Sequence, residues 1–542
     1  MLLSDDDSPR SSLKKERLKF RPGVPSSLRN LPRLSLKRES VPSLEQDQEI
    51  ARRFPHTFGR PVLSPFCEAH PGSVDQPLRV GVLFSGGPAA GGHNVIIGLF
   101  DALIAIHQDS QLYGFLDGFS GLLEERAKRL SGSELAGFRN QGGFDLIGSS
   151  RTKVESSEQL ETCLEVFQKM QLDGLVVIGG DDSNTNVACL AEYGLKQGCH
   201  TTVVGVPKTI DGDLQNPYVD ISFGFDTACR TYGEIIGNIA RDAISVKKYT
   251  HFIKLMGRSS SHVALECALL THPNMALIGE EVAHRQQTLN KIVMEIARMI
   301  VRRERNYGVI LIPEGLVEFI PDMKQLINEL NSLLASRPIS QGEVSVDRVK
   351  SDLTVPSVRL LESLPEEVQK QLFFDRDPHG NVRLSQIESE KLFSLLVGQT
   401  LAKTGYQGSF LPQHHFLGYE GRAGLPTNFD ATYCIALGAF SALLVKGKAT
   451  GYMSGICHLA SSPEHWSFYG IPLTSLMRME WRKGREVPVI GKALVDLNEA
   501  PFTTFAQARK DWQWNDHYRY PGPIQFSDSS FLQPPLSLIC KG

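Results

Sequence analysis

Four carboxylates and one ammonium group stand at the ends of two short apolar runs. Residues 175–178 lead into Gly179-Gly180-Asp181-Asp182-Ser183-Asn184-Thr185, and residues 203–206 lead into Pro207-Lys208-Thr209-Ile210-Asp211-Gly212-Asp213. Carboxylates with oxygen-only neighbours suit Mg²⁺, which usually brings phosphate groups with it. An aspartate standing apart from a metal can instead act as a base. The plainer use of an acid after a strand is to cap the next helix. A cap needs one acid, and here there are four.

For these groups to work together, the two loops must meet. Two parallel strands would bring them to one sheet edge, where ligands bind in open α/β folds. The run at residues 78–84 reads as a third buried strand, followed by Ser85-Gly86-Gly87-Pro88-Ala89-Ala90-Gly91-Gly92-His93-Asn94 and an apolar helix over 95–106. Strand, glycine loop and helix form the layout of a phosphate-binding unit, because backbone N–H groups and the helix N-terminus face the anion. The loop fits neither the Walker A pattern nor the dinucleotide spacing. Taken alone, it is equally a tight turn. Further strands read at 174–178, 201–206, 252–255 and 309–312, with helices between them such as 158–170. That alternation argues for a parallel sheet covered on both faces.

The chain has 542 residues, so two domains with extensions are expected. A net charge of −3 gives no nucleic-acid surface. We see no apolar run long enough to span a bilayer and no secretory h-region near Asp5-Asp6-Asp7. The nine cysteines lack CxxC pairing, which reads as reduced thiols in a cytoplasmic protein. Residues 1–76, basic from Lys14 to Arg38, read as an extension that wraps the body or stays mobile. Residues about 317–401 read as a helical insertion, a cap or lid. The aromatic, proline-rich stretch 461–542, with Trp466, Trp481, Trp512 and Trp514, reads as a C-terminal extension packed on the body.

On Ser85-Gly86-Gly87, Gly179-Gly180-Asp181, Thr209-Ile210-Asp211-Gly212-Asp213, Met256-Gly257-Arg258, Pro313-Glu314-Gly315 and Tyr419-Glu420-Gly421-Arg422, in that order, the chain resembles the phosphofructokinase family. The resemblance implies two Rossmann-like three-layer α/β/α domains with the active site between them. The expected division is 77–245 for pyrophosphate and Mg²⁺, completed by 430–460, and 246–429 for fructose 6-phosphate. Within the family the chain is similar to the pyrophosphate-dependent branch, of the long bacterial and plant catalytic-subunit type. ATP-dependent members commonly carry glycine where this chain has Asp182. A carboxylate there would sit where a nucleotide's α-phosphate should go. Two like charges about 4 Å apart repel by roughly 4 kcal/mol at an effective dielectric of 20. Pyrophosphate ends before that position.

The resemblance implies reversible phosphoryl transfer from pyrophosphate to the 1-hydroxyl of fructose 6-phosphate, giving fructose 1,6-bisphosphate and phosphate. Asp211 is then the general base, and Asp181 the Mg²⁺ ligand with Asp213 beside it. Lys208, Gly87 and Arg151 would hold the pyrophosphate, and Arg258 the transferring group. Asp182 sets donor choice. Thr209, Ile210, Met256, Gly257, Glu314, Tyr419, Glu420, Gly421 and Arg422 match the sugar-phosphate contacts. Compact bacterial ATP enzymes bring arginines across a subunit interface where this chain aligns Tyr249 and Gln413. Lys248 is expected to replace one of those charges from a neighbouring subunit, in a homodimer. An ATP-dependent sugar kinase and a non-catalytic regulatory paralogue are the alternatives. Asp182 argues against the first, and the retained Asp181, Asp211 and Asp213 against the second.

Overall fold

A computed structural model of the chain describes residues 17–39, 47–68, 76–335, 346–375, 382, 386–482, 485–522 and 535–541. Among these, the chain forms two compact units. One takes in the chain up to Ala228, Glu420–Ala493 and 535–538. The other takes in Cys229–Tyr419, 494–522 and 539–541.

The first unit is built on a nine-stranded sheet. Its centre is parallel, in the order Tyr452–Cys457, Thr202–Pro207, Gly174–Gly179, Arg79–Ser85 and Gln111–Phe115. Residues of the two strands before the acidic loops are buried on both faces, which is why they read as continuous apolar runs rather than alternating ones. Strand order reverses at Arg79–Ser85, since the next strand in the chain lies on one side of it and Gly174–Gly179 on the other. That reversal opens a crevice at the carboxyl ends of the strands.

Helices Gly92–Ile106 and Asn428–Lys446 pack closely within this unit. A Cβ on Gly98 would come 2.2 Å from Ile435 O, and one on Gly438 would come 2.1 Å from Val95 O. The helix Asn428–Lys446 also corrects one expectation. It is long and apolar enough to cross a membrane by length and composition, but it is wholly buried here as a core helix.

The expected N-terminal extension contributes structure to this sheet. Leu34–Arg38 pairs with Leu63–Cys67, which joins the antiparallel strand Ser467–Pro472. Arg17 is buried, donating to Asn428 Oδ1 and Pro426 O at 2.7 Å each. Its burial lowers the guanidinium pKa to about 9.

The second unit has a parallel sheet in the order Pro412–Leu417, Thr250–Leu255, Gly308–Pro313 and Met275–Ala276. The stretch read as an insertion holds the helices Pro321–Ala335, Val346–Asp352, Val355–Ser363, Glu366–Phe374 and Ser389–Lys403. Leu326, Leu330, Leu361, Leu372 and Phe393 bury their apolar faces in one cluster with Ile310 and Ile312 of the sheet. Trp512 stacks on His272 at 3.9 Å.

The division differs from the expected one. The break falls within the helix Phe225–Val246, after Ala228, and again between Tyr419 and Glu420. A helix running through a boundary leaves no change in sequence pattern to mark it. The expected C-terminal extension is likewise shared, with 461–493 in the first unit and 494–522 in the second.

Candidate active site

In the first unit, Ser85 pairs with Gly179 and Gly179 with Pro207 at the ends of adjacent parallel strands. The register therefore brings three loops to one sheet edge: Gly86–Gly87, Asp181–Asp182 and 208–213. Gly86 has φ +86°, in the left-handed region that favours glycine. Its N–H donates to Ser150 O at 2.8 Å, and Ser149 Oγ donates to Gly86 O at 2.7 Å. Arg151 follows directly and is exposed.

Cations press on both glycines. A Cβ on Gly86 would lie 3.2 Å from Lys208 Nζ, and one on Gly87 only 1.8 Å from an Arg422 guanidinium nitrogen. Any side chain at Gly87 would thus push Arg422 aside. Lys208 is buried, and its N–H is anchored to Gly179 O at 3.0 Å. Burial, then repulsion from Arg422, lowers the Lys208 pKa to about 8, with Asp211 and Asp181 acting against that shift. Arg422 matched the sugar-phosphate set in the sequence; the structure places its guanidinium at the glycine loop.

Thr209 Oγ1 accepts the Asp211 N–H at 3.1 Å, and Ser222 Oγ donates to Thr209 O at 2.9 Å. Ile210 is buried beside them. Gly212, at φ +71°, turns the chain so that Asp213 points inward. Asp213 is buried, and burial together with the Asp211 charge pushes its carboxyl up to about 7. A plain turn residue would face water instead.

Asp181 and Asp182 open the helix Asp181–Lys196, whose N-cap is Gly180 with no side-chain bond. The acids are therefore not caps; they stand in the first turn, where negative charge complements the helix dipole. Asn184 Nδ2 donates to Gly179 O and Gly180 O at 2.7 and 2.9 Å, which holds the turn shut. Asp182 is exposed and lies 3.2 Å from Lys153. Its charge is thus partly balanced, a partner the acidic motif alone did not reveal. Lys153 had a signal in sequence, as the second basic residue, with Arg151, after Ser149-Ser150.

Two further groups escaped sequence reading. Ser183 Oγ donates to Ser85 Oγ at 2.8 Å, tying the glycine loop to the acidic helix. Lys492 Nζ lies 3.4 Å from Asp181 and 3.7 Å from Asp213. Nothing near Lys492 in the sequence signals this, because the contact spans the whole fold.

The donors around Asp181 fit Mg²⁺. Asp181, Asp211 and Asp213 offer carboxylate oxygens, and an ammonium group already bridges two of them. Among the described residues, no three His, Cys, Asp or Glu side chains form a ready metal cage. Mg²⁺ does not require one, since it is commonly held by one or two carboxylates with phosphate oxygens and water.

In the second unit, Leu255 pairs with both Pro313 and Leu417, so three more candidate segments share a sheet edge. Met256 N–H donates to Leu417 O and Glu314 N–H to Leu255 O, both at 2.9 Å. Glu314 is buried, and its carboxylate accepts the Gly257 N–H at 3.1 Å. It caps no helix: the helix Leu316–Phe319 starts from Gly315. Gly257 has φ +138°, which only glycine adopts easily. Arg258 and Tyr419 are exposed beside them. Glu420 and Gly421 belong with Arg422 in the first unit.

Lys248 and Tyr249 are not brought to this edge. They precede the strand Thr250–Leu255, while Met256–Arg258 follow it. Six residues of strand separate them by roughly 20 Å. Within one chain they stand at the opposite end of the sheet, with the Lys248 ammonium 5.4 Å from the Tyr249 ring centroid.

Comparisons with known proteins identify the family. The family profile described as Phosphofructokinase matches residues 79–445. The chain is 45% identical to the pyrophosphate--fructose 6-phosphate 1-phosphotransferase of Porphyromonas gingivalis, over 95% of this chain and 96% of that one. It is 48% identical to subunit beta 1 of the enzyme of that name from Arabidopsis thaliana, over 88% and 85% of the two chains. In fold it is similar to a crystal structure of pyrophosphate-dependent phosphofructokinase from Nitrosospira multiformis. There the TM-score is 0.54 at 15% identity, covering 84% of this chain and 96% of that one.

Proposed function

The chain belongs to the phosphofructokinase family, and on that premise we propose that it transfers a phosphoryl group from pyrophosphate to the 1-hydroxyl of fructose 6-phosphate. The products are fructose 1,6-bisphosphate and phosphate. One phosphoanhydride is broken and one phosphoester made, so the reaction runs readily in both directions. The observation that carries this reading is Lys208, buried against Gly86, with Asp211 held three residues on by Thr209. An anion-binding cation and a positioned carboxylate then share one loop.

The roles follow from the chemistry. Asp211 takes the proton of the sugar hydroxyl, which is a poor nucleophile until an acceptor is within reach. Lys208, with Arg422 and Arg151, offsets charge on the pyrophosphate and on the departing phosphate. The glycine loop lets those cations approach. Mg²⁺, held by Asp181, would neutralise phosphate oxygens when bound. Asp182, at the open end of the first turn, discourages a longer nucleotide tail. In the second unit, Met256, Gly257 and Glu314 take the sugar, Tyr419 its 6-phosphate, and Arg258 the transferring phosphoryl group. Lys248 and Tyr249 serve a neighbouring subunit's sugar phosphate, in a homodimer. None of the nine cysteines is disulfide-bonded, which supports a reducing, cytoplasmic setting.

The test is product formation. Purified protein with Mg²⁺, pyrophosphate and fructose 6-phosphate is expected to form fructose 1,6-bisphosphate, followed by ³¹P NMR. Fructose 1,6-bisphosphate with orthophosphate is expected to return pyrophosphate. Absence of either product overturns the assignment.

A further inference from the structure

Lys492 lies in none of the motifs, yet its ammonium sits between the two acidic loops, 3.4 Å from Asp181 Oδ2 and 3.7 Å from Asp213 Oδ2. The backbone on either side of it is tied to the same loops. Ile490 N–H donates to Thr185 Oγ1 at 3.3 Å, and that hydroxyl donates to Asp181 O at 2.9 Å. Ala493 N–H donates to Asp213 O at 2.8 Å. The segment leaves the hairpin Met477–Arg482 and Arg485–Ile490, whose base is closed by Gly491 N–H on Leu476 O at 3.0 Å. An ordinary surface ion pair gains little because two long side chains must be ordered to make it. Here the backbone on both sides already fixes where the lysine starts, and its side chain is only 25% exposed.

We propose that Lys492 is a built-in counter-cation of the Asp181–Asp213 pair, which a divalent ion must displace from Asp181 in order to bind. The proposal rests on the reading of Asp181 as the Mg²⁺ ligand. A monovalent and a divalent cation cannot both contact one carboxylate without repulsion. The lysine therefore holds the two loops together before metal arrives and weakens binding of the free ion. It repels a bare ion more than one that arrives with pyrophosphate, whose negative charge the lysine attracts. The hairpin thus favours the metal–pyrophosphate complex over free metal.

The test is Mn²⁺ binding to the whole protein without substrates, read by electron paramagnetic resonance of the free ion. Lys492→Met is expected to bind Mn²⁺ about tenfold more tightly than the natural protein, as removal of one nearby unit charge would do. Lys492→Arg, which keeps the charge, is expected to match the natural protein. Lys492→Gln serves in place of Lys492→Met if that variant does not fold. Equal or weaker Mn²⁺ binding in the neutral variant overturns the proposal. Asp181→Asn separates the two ideas. If it abolishes Mn²⁺ binding while Lys492→Met matches the natural protein, only the counter-cation proposal falls. If it leaves Mn²⁺ binding intact, the metal assignment falls and takes the proposal with it.

Discussion

Lys208 Nζ stands 3.2 Å from the point a Cβ on Gly86 would occupy, so the lysine and the glycine loop form one surface. Burial lowers the lysine's pKa from the ordinary 10.5 to about 8. The ammonium is charged below that pH and loses its proton as pH rises through it. If the charged form is needed, kcat/KM for pyrophosphate is flat up to about pH 8 and then falls about tenfold per pH unit. Lys208→Arg keeps its charge throughout, so its residual activity holds level to higher pH. Lys208→Gly should lower kcat by about 100-fold or more with a small change in KM for fructose 6-phosphate. Rate–pH profiles of the three proteins check this.

Asp182→Gly should lose most pyrophosphate-dependent activity and gain measurable activity with ATP. The Lys153 partner at 3.2 Å makes a second arm possible. Both side chains are more than a third exposed, so the pair is screened and is worth less than about 1 kcal/mol. Lys153→Met should therefore shift donor preference by no more than about fivefold, toward stronger exclusion of ATP. Steady-state rates with each donor decide it. An unchanged preference in Asp182→Gly would contradict the electrostatic account.

Glu314 and Gly257 make a hydrogen bond at 3.1 Å between a buried carboxylate and a backbone N–H. Bonds to a charged group contribute about 1.5–3 kcal/mol. Glu314→Ala should raise KM for fructose 6-phosphate by about 10- to 100-fold, with pyrophosphate KM nearly unchanged. Glu314→Gln keeps an acceptor and should lose less. The split between the two KM values separates sugar binding from general damage.

The most visible parts of the molecule in sequence were the ones whose chemistry is local. The strands before residues 179 and 207 are buried on both faces, so they stand out as apolar runs. The turn from Thr209 to Asp213 carries its own glycine and its own hydroxyl acceptor. What escaped was set by distant pairing. Leu34–Arg38 and Leu63–Cys67 sit at a sheet edge, only partly buried, and so lack the apolar run that marks a central strand. Lys492 reaches Asp181 only because a hairpin folds back across the unit. Arg422 was matched to the sugar phosphate, but its guanidinium lies on Gly87, a contact between residues more than 300 positions apart.

Gly98 and Gly438 allow two buried helices to touch backbone to backbone. A Cβ on either would meet a carbonyl oxygen near 2 Å, and backbone moves less readily than a flexible side chain. Gly98→Ala should destabilise the protein by about 1–3 kcal/mol, the usual cost of overpacking. The gain in helix propensity recovers at most about 1 kcal/mol of that. Urea unfolding of the first transition measures it, and an unchanged midpoint would show that the helices separate freely.

The most direct measurement is the initial rate on fructose 6-phosphate with Mg²⁺, comparing pyrophosphate with ATP as donor at equal concentration. Turnover is expected with pyrophosphate, and a rate with ATP lower by at least about 100-fold, the effect of roughly 3–4 kcal/mol of repulsion at Asp182. Turnover with ATP alone would leave Asp211 as the base but contradict the reading of the donor site.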